Sequence, residues 1–212
     1  MAVYILMAIV AYLIGSVNFS IIFSKKFAGF DVREKGSGNA GTTNMLRSAG
    51  KGLAALTLVC DVLKGVVAVF LAFLISKISS DTSPEVVVQI AGIFAVIGHT
   101  FPVYFGFKGG KGVATSLGIL LIINWQIGLI CLVFALFVMV LTRTVSLGSI
   151  MAAVLFPVLT IFIAVDSNSH YIVKEGNYII FGIIMAIIVI FNHRENLVRI
   201  MKGEENKVSF KK

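Results

Sequence analysis

Charged residues are scarce in this sequence, at 13% of its 212 residues, against roughly 25% in an average soluble domain. None of the first 24 residues is charged, so no basic stretch precedes the first apolar run and we expect no cleaved signal peptide. The two cysteines, Cys60 and Cys131, lie in apolar runs, which excludes a disulfide framework or a cysteine-based metal site. No metal-ligand spacing or cofactor fingerprint is present, so we expect neither a metal nor a cofactor.

Apolar residues take the place of charge, at 58% of the chain, with a mean hydropathy of +0.99. Several apolar runs approach the roughly 20 residues that a membrane-spanning helix needs. A soluble helical core would not require such near-continuous apolar sequence. We therefore predict an all-α, polytopic integral membrane protein whose single membrane domain is residues 1–212. The seven candidate segments cover about 2–24, 53–75, 85–105, 112–124, 125–141, 145–165 and 176–191.

The distribution of basic residues predicts the orientation. With the N-terminus outside and all segments spanning, fifteen of the eighteen Lys and Arg residues lie on the inner side, and only Lys77 and Lys174 lie outside. Cytoplasmic loops carry the basic excess in membrane proteins, so the N-terminus is predicted outside and the C-terminus in the cytoplasm. The net charge of +8 then reflects topology and contact with anionic membrane lipid, and no nucleic-acid partner is expected.

The first cytoplasmic loop, about residues 25–51, contains a run of small and hydrogen-bonding residues followed by Arg47. Glycines let successive N–H groups turn toward one point, which favours an anion, and an arginine adds a forked pair of donors. We predict a phosphate site here, the alternative being a flexible surface loop. The spacing of its glycines matches a dinucleotide fingerprint, but no strand precedes them. The run is Gly36, Ser37, Gly38, Asn39, Ala40, Gly41, Thr42, Thr43 and Asn44.

A second loop, about residues 106–112, directly precedes the fourth segment and combines lysines with glycines. Backbone N–H groups at a helix start, with the helix dipole, favour an anion. The loop is not a Walker A motif, because Gly112 rather than Ser or Thr follows Lys111. We predict a second phosphate site, formed by Lys108, Gly109, Gly110, Lys111 and Gly112.

The third cytoplasmic stretch, about residues 192–212, begins with His193 and Asn196. These two residues share a face if the last helix continues through them. The pKa of a histidine suits proton transfer near neutrality. The alternative is an interfacial helix cap followed by a basic anchoring tail, to which we assign no catalytic role.

Three ionisable residues lie within the apolar segments. Asp61 and Lys64 are three apart and share a helix face, where they could pair. A structural ion pair and a role beside the site both remain open. His99, at the end of the third segment, is either a helix-end hydrogen-bonding residue or a base.

Together the three motifs resemble those of the bacterial acyl-phosphate:glycerol-3-phosphate acyltransferase family, PlsY. The resemblance covers nearly the whole chain in length, segments, orientation and motif order. It implies transfer of a fatty acyl group from acyl phosphate to the 1-hydroxyl of glycerol 3-phosphate, giving lysophosphatidic acid and inorganic phosphate in early phospholipid synthesis. It also implies a bacterial plasma membrane location with the site facing the cytoplasm, and coupling to an enzyme that forms acyl phosphate.

The resemblance also implies roles for individual residues. Ser37 is expected as an acylated nucleophile or as a donor to phosphate or the developing oxyanion. His193 is expected as general base, unless a substrate phosphate takes the proton and His193 and Asn196 only bind and orient. Asp61, Lys64 and His99 are expected as supporting residues. The phosphates are expected at Gly38, Asn39, Gly41, Thr42, Thr43, Asn44, Arg47, Lys108, Gly109, Gly110, Lys111 and Gly112.

The alternative function is a membrane transporter for an anionic phosphorylated metabolite. A transporter is expected to show matching broken helices in related halves and polar residues at the membrane midplane. The polar stretches of this sequence instead crowd one predicted face of the membrane, which favours the enzyme.

Overall fold

The computed structural model describes residues 1–78, 82–163 and 178–208, and every regular element in these ranges is helical. Short 3-10 and π-helical turns occur between some of the helices. The α-helices in chain order are α1 Ala2–Ser16, α2 Phe19–Phe23, α3 Thr42–Ser48, α4 Lys51–Ile78, α5 Pro84–Thr100, α6 Val113–Ile123, α7 Trp125–Thr142, α8 Val145–Phe162, α9 Ile179–Asn192 and α10 Arg194–Met201.

Five stretches are long and apolar enough to cross a membrane, namely Ala2–Ala28, α4, Pro84–Phe105, α7 and α8. A sixth is added if α9 and α10, which meet at a bend of 62°, form one span. The remaining predicted segment is α6, which is apolar but only 11 residues long. Each of the seven predicted segments therefore contains a helix, while the number of spans and the orientation stay predictions.

The chain divides into two compact units. The first contains α1 to α6 and ends at Ile123, and the second begins at Asn124 and contains α7 to α10. In the first unit α1 packs against α5, and α4 packs against both α5 and α6. In the second unit α8 packs against α7 and α9. A single membrane domain stays a prediction.

Glycines bring the helices of the first unit into close contact. A Cβ added to Gly15 of α1 would overlap the carbonyl of Ala95, and one added to Gly98 of α5 would overlap the carbonyl of Tyr12. Gly118 of α6 meets the backbone of α4 in the same way. Small residues at crossings are how membrane helices approach one another. These crossings fix α5 and α6, between which the second motif loop runs.

The first span is interrupted between α1 and α2. Asn18 there has an extended backbone (φ −100°, ψ 102°). Its Oδ1 accepts from the N–H of Ile21 at 3.2 Å and from Oγ of Ser20 at 2.7 Å, which begins α2 as an N-cap does. Its Nδ2 donates to the carbonyl of Ala40 at 3.3 Å. The break therefore connects the span to the first motif loop.

The α1–α5 crossing yields a stability prediction. Gly98→Ala should destabilise the protein by about 1–3 kcal/mol, because its Cβ meets backbone that cannot rotate away. Gly52→Ala is the matched control, since nothing lies within 4 Å of a Cβ there. Thermal unfolding in detergent measures both variants. A Gly98→Ala protein as stable as the wild type would contradict the close crossing.

Candidate active site

Asn44 organises the first motif loop from within. Its Oδ1 accepts from the N–H of Ser37 at 2.9 Å, and its Nδ2 donates to the carbonyls of Val32 at 2.8 Å and Lys35 at 2.9 Å. The side chain is buried, and Gly36 beside it has φ +57°, a conformation open to glycine at little cost. Asn44 therefore holds the loop in shape, and its contact with a phosphate stays a prediction.

A small apolar core lies beneath this loop. It joins side chains from α2, the loop itself, α3 and the start of α4, and Phe105 from before the second motif packs against it. Burying these side chains stabilises the loop backbone. The buried members are Ile21, Val32, Ala40, Met45 and Ala54.

Several of the groups predicted to contact substrate lie on the outer side of the loop. Ser37, Gly38 and Arg47 are exposed, while Asn39 and Thr43 are half-buried. The hydroxyl of Ser37 and the guanidinium of Arg47 bond to no other residue in the described ranges. Both groups can therefore donate to a ligand without first breaking an internal bond.

Arg33 joins the two phosphate-like loops. Its Nη1 donates to the carbonyls of Phe105 at 2.7 Å and Lys108 at 3.2 Å. Its Nε and Nη2 bond to both carboxylate oxygens of Asp31, at 3.0 and 2.7 Å, and Nζ of Lys25 lies 3.2 Å from the same carboxylate. The hydrogen bond from Arg33 holds the pKa of Asp31 well below its usual range. The first and second motif loops are thus one structure.

The backbone of the second loop bonds to the end of α5 and to the first loop. The N–H of Gly109 donates to the carbonyl of Thr100 and that of Gly110 to the carbonyl of His99, both at 3.1 Å. The carbonyl of Gly109 in turn accepts from the N–H of Ala40 at 3.4 Å. The end of α5 therefore accepts from both of these N–H groups in this structure, and phosphate binding at Gly109 and Gly110 stays a prediction. Gly110 instead allows the second loop to lie close to the first, since a Cβ on Gly110 would overlap the carbonyl of Ala40.

The remaining residues of the second loop still offer groups that can donate to an anion. Lys108 is exposed and Lys111 is half-buried, and Gly112, with φ +81°, precedes α6. The N–H groups of the first turn of a helix have no acceptor within it. Lys108, Lys111 and the start of α6 therefore remain the predicted anion donors of this loop.

Asp61 and Lys64 form the ion pair that their spacing suggested. Nζ of Lys64 lies 2.9 Å from Oδ1 of Asp61 and 2.8 Å from Nδ1 of His99, and all three side chains are buried. The cluster belongs to the first unit and adjoins the second motif loop, because His99 is the residue that accepts from Gly110.

The third motif lies at a bend, so the condition that the last helix continues through His193 and Asn196 is not met. His193 (φ −101°, ψ 9°) ends α9 and begins α10, and its Nδ1 lies 2.7 Å from the carbonyl of Val189. A carbonyl only accepts, so Nδ1 carries a proton, and in the neutral ring Nε2 then carries the lone pair. His193 and Asn196 are both buried.

Glu205 holds Asn196, although the sequence analysis assigned the tail no role. Its Oε1 accepts from Nδ2 of Asn196 at 2.7 Å and from Oγ of Ser146 at 3.1 Å, and its Oε2 accepts from Nε of Arg199 at 2.9 Å. Burial raises the pKa of Glu205, but these hydrogen bonds outweigh burial and hold the pKa below its usual value. The signal available in the sequence was a pair of acidic residues in an otherwise basic tail.

The predicted site residues are divided between the two units. The structure brings together the first and second motifs with Asp61, Lys64 and His99 in the first unit. His193 and Asn196 belong to the second unit, with Ser146 and Glu205. Arg33 is the other residue that the sequence analysis missed, and its signal was an acid–base pair two residues apart just before the glycine run.

Comparisons with known proteins identify the family of this chain. The family model of glycerol-3-phosphate acyltransferase matches residues 5–203. The glycerol-3-phosphate acyltransferase of Clostridioides difficile (strain 630) is 42% identical over 214 residues, covering 99% of this chain and 97% of the relative. That of Thermoanaerobacter sp. (strain X514) is 44% identical over 207 residues, covering 98% and 96%.

Two solved structures are also similar. The crystal structure of PlsY, an integral membrane glycerol 3-phosphate acyltransferase, in its glycerol 3-phosphate form has a TM-score of 0.83 and 33% identity, covering 97% of this chain and 96% of that one. The lysophosphatidic acid form has a TM-score of 0.81 and 32% identity, covering 97% and 95%.

The apolar helices and the similarity to these two structures show that the protein is an all-α, polytopic integral membrane protein, as predicted. The chain belongs to the glycerol-3-phosphate acyltransferase family. The resemblance drawn from its three motifs is thereby confirmed.

The role of Asn44 can be tested by Asn44→Asp. The variant keeps an acceptor for the N–H of Ser37 but places an oxygen where Nδ2 donated to the carbonyls of Val32 and Lys35. Leaving a buried carbonyl without its hydrogen-bond donor costs about 1–3 kcal/mol. We expect faster hydrogen–deuterium exchange over residues 32–37 and loss of activity. Asn206→Asp, at an exposed position, is the control. Unchanged exchange would show that Asn44 does not organise the loop.

The Asp31–Arg33 contact predicts a pH dependence. Because the pKa of Asp31 is lower in the folded protein, its stabilisation is full above the ordinary aspartate pKa of about 4 and is lost as pH falls toward the folded-state pKa. The Tm of Asp31→Asn should therefore lie below that of the wild type at about pH 7, and the difference should narrow progressively as pH falls below about 4. A difference in Tm that is constant with pH would contradict this.

Proposed function

We propose that this protein transfers a fatty acyl group from acyl phosphate to the 1-hydroxyl of glycerol 3-phosphate, giving lysophosphatidic acid and inorganic phosphate. The acceptor and product follow the relatives' names and the two crystal forms of PlsY. The observation that supports acyl phosphate as the acyl donor is that Arg33 joins two loops, both of which present cationic groups. An acyl phosphate and glycerol 3-phosphate each bring one phosphate, so each loop has an anion to bind.

The cations of the two loops are the phosphate ligands of this proposal. Arg47, Lys108 and Lys111 neutralise the substrate phosphates and the phosphate that leaves, while the first turn of α6 adds backbone donors. Holding both substrates in place lowers the barrier by up to about 7–11 kcal/mol, because a bimolecular encounter becomes a step within one complex.

The reaction is a displacement at an activated acyl group. The 1-hydroxyl oxygen of glycerol 3-phosphate attacks the carbonyl carbon of acyl phosphate, and a tetrahedral oxyanion forms. The bond from carbon to the bridging oxygen then breaks, and phosphate leaves with the electron pair. Donors near the carbonyl oxygen stabilise the oxyanion.

Ser37 supplies such a donor in this proposal. Its hydroxyl is exposed and lies within hydrogen-bonding distance of no base among the described residues. An unactivated serine is a weak nucleophile, and acyl phosphate is already activated. These points favour a donor role for Ser37 over an acylated intermediate.

The attacking hydroxyl must lose a proton, and His193 is the candidate acceptor. Its Nδ1 donates to Val189, so Nε2 has the lone pair that a general base requires. Asn196, held by Glu205, then orients substrate. The competing route, in which a substrate phosphate takes the proton, leaves His193 and Asn196 as binding and orienting residues.

The proposal includes an orientation. The three motifs face the cytoplasm of a bacterial cell from the plasma membrane, because the basic residues concentrate on that side. The acyl chain of the donor stays in lipid, since each buried CH2 contributes about 0.8 kcal/mol. An enzyme that forms acyl phosphate would supply the donor.

The test uses purified protein in lipid with glycerol 3-phosphate and either acyl phosphate or acyl-coenzyme A. We expect lysophosphatidic acid and inorganic phosphate in equal amounts when acyl phosphate is the acyl donor, and neither product with acyl-coenzyme A. Arg47→Ala should lower kcat/KM at least about 100-fold, by loss of a charged donor to phosphate. Lys77→Ala, an exposed cation outside the three motifs, is the control and should retain activity.

Two further variants separate the mechanisms. A general base contributes about 10²–10⁴-fold, so His193→Ala should lower kcat by that factor if His193 takes the proton. Ser37→Ala should retain measurable turnover if Ser37 is a donor, and none if it is acylated. Equal turnover with acyl-coenzyme A would contradict the assignment of acyl phosphate as the acyl donor. Absence of both products would overturn the enzyme, and vesicle uptake of organic phosphates would then test a transporter.

A further inference from the structure

Lys64 is the centre of a buried cluster that links three segments of the first unit. Its Nζ donates to the carbonyl of Val17 at 2.7 Å, pairs with Oδ1 of Asp61 at 2.9 Å and lies 2.8 Å from Nδ1 of His99. The side chains of Lys64 and Asp61 are only 3% and 1% exposed. The cluster thus connects the α1–α2 break, α4 and the end of α5.

Three groups of the protein surround the Lys64 ammonium. An ammonium has three donors and no acceptor; two hydrogen bonds reach the carbonyl of Val17 and Nδ1 of His99, and the carboxylate of Asp61 is the ion-pair partner. The ring of Phe19 lies 5.9 Å from Nζ and covers a further side. Lys64 is therefore buried among partners of the protein itself, in contrast to the exposed Arg47 and Lys108.

The contact with Lys64 fixes the state of the His99 ring. Because an ammonium proton points at Nδ1, that nitrogen accepts and the ring proton is on Nε2. Nε2 faces the second motif loop, since a Cβ added to Gly110 would overlap both it and the carbonyl of Ala40. The N–H of Gly110 also donates to the His99 carbonyl. His99 therefore contacts the point where the two motif loops meet.

We infer that Lys64 and Asp61 are positioning residues, which orient His99 so that its ring and carbonyl hold the Gly109–Gly110 backbone against Ala40 and set the spacing of the two phosphate loops. The activity readout of this inference rests on the proposed function, whereas its structural readout does not. The cluster acts through the loops and touches no substrate.

A purely stabilising role gives a different expectation. Replacing a buried ion pair with apolar residues of similar volume is often neutral or stabilising. A cluster kept only for folding could therefore be exchanged for apolar side chains without effect on the loops. A positioning cluster could not, because apolar side chains cannot fix the orientation of an imidazole.

Two variants approach the cluster from opposite ends. Asp61→Leu combined with Lys64→Met removes both charges and leaves His99 without its donor. His99→Asn keeps an acceptor for Lys64 close to the position of Nδ1 but removes the Nε2 end of the ring. Cys60→Ser, next to Asp61 on α4 and partly exposed, is the matched control.

The first readout is hydrogen–deuterium exchange of a peptide containing Gly109 and Gly110, which needs no substrate. We expect exchange at these amides to be about tenfold faster or more in both variants, because opening of a local hydrogen bond becomes easier. Exchange in α7 and the Tm should match those of the wild type.

The second readout is kinetic, with the KM of each phosphate substrate measured against kcat. Misplaced loops should raise the KM of at least one substrate about tenfold, since ångström-scale displacement costs up to about 100-fold, with less effect on kcat. Wild-type exchange and KM in a folded His99→Asn protein would overturn the inference, as would failure of His99→Asn to fold. If the apolar double variant does not fold, His99→Asn decides alone. An inactive wild type would defeat the proposed function and leave the exchange test intact.

Discussion

The hydrogen bonds of one arginine determine how the polar loops of this protein are assembled. Arg33 donates to the backbone of the second motif loop and is held by Asp31 within the first. Its guanidinium is planar and offers donors on several sides at once. Two loops separated by some seventy residues therefore share one anchor. The apolar core beneath them and the amide of Asn44 shape the first loop, but Arg33 sets it against its partner.

The cations of the first unit fall into two groups with different tasks. Arg33 and Lys64 bond to acceptors of the protein itself, so their charge is largely neutralised inside the fold. Arg47 and Lys108 are exposed on the same loops. A phosphate binds to cations that are not already paired, and an internal cation that loses its partners destabilises the fold instead. The same residue types thus build the framework and serve the substrates, and exposure separates them.

The helices were predictable because an apolar chain has few ways to satisfy its backbone, and the family followed from motif order. The finer geometry depended on partners distant in sequence. The N–H groups of Gly109 and Gly110 bond to α5, which no local pattern indicates. At the bend, the carbonyl of Val189 accepts from both the ring and the backbone N–H of His193, a contact that spacing alone does not indicate. The role of Glu205 depends on Ser146, 59 positions away. Spacing predicted only the Asp61–Lys64 pair, because both residues lie on one helix.

The shortness of α6 has a consequence for the depth of the chemistry. Its 11 residues extend about 16 Å at 1.5 Å per residue, roughly half the 30 Å hydrocarbon thickness of a bilayer. If α6 lies within the bilayer, as its segment is predicted to, at least one of its ends lies inside the hydrocarbon layer or at its edge, where backbone groups need protein partners. The Gly109–Gly110 segment before it has such partners on α5. A polar loop supported in this way can lie below the headgroup plane, so a lipid-anchored acyl group would not need to leave the bilayer to reach a water-soluble phosphate.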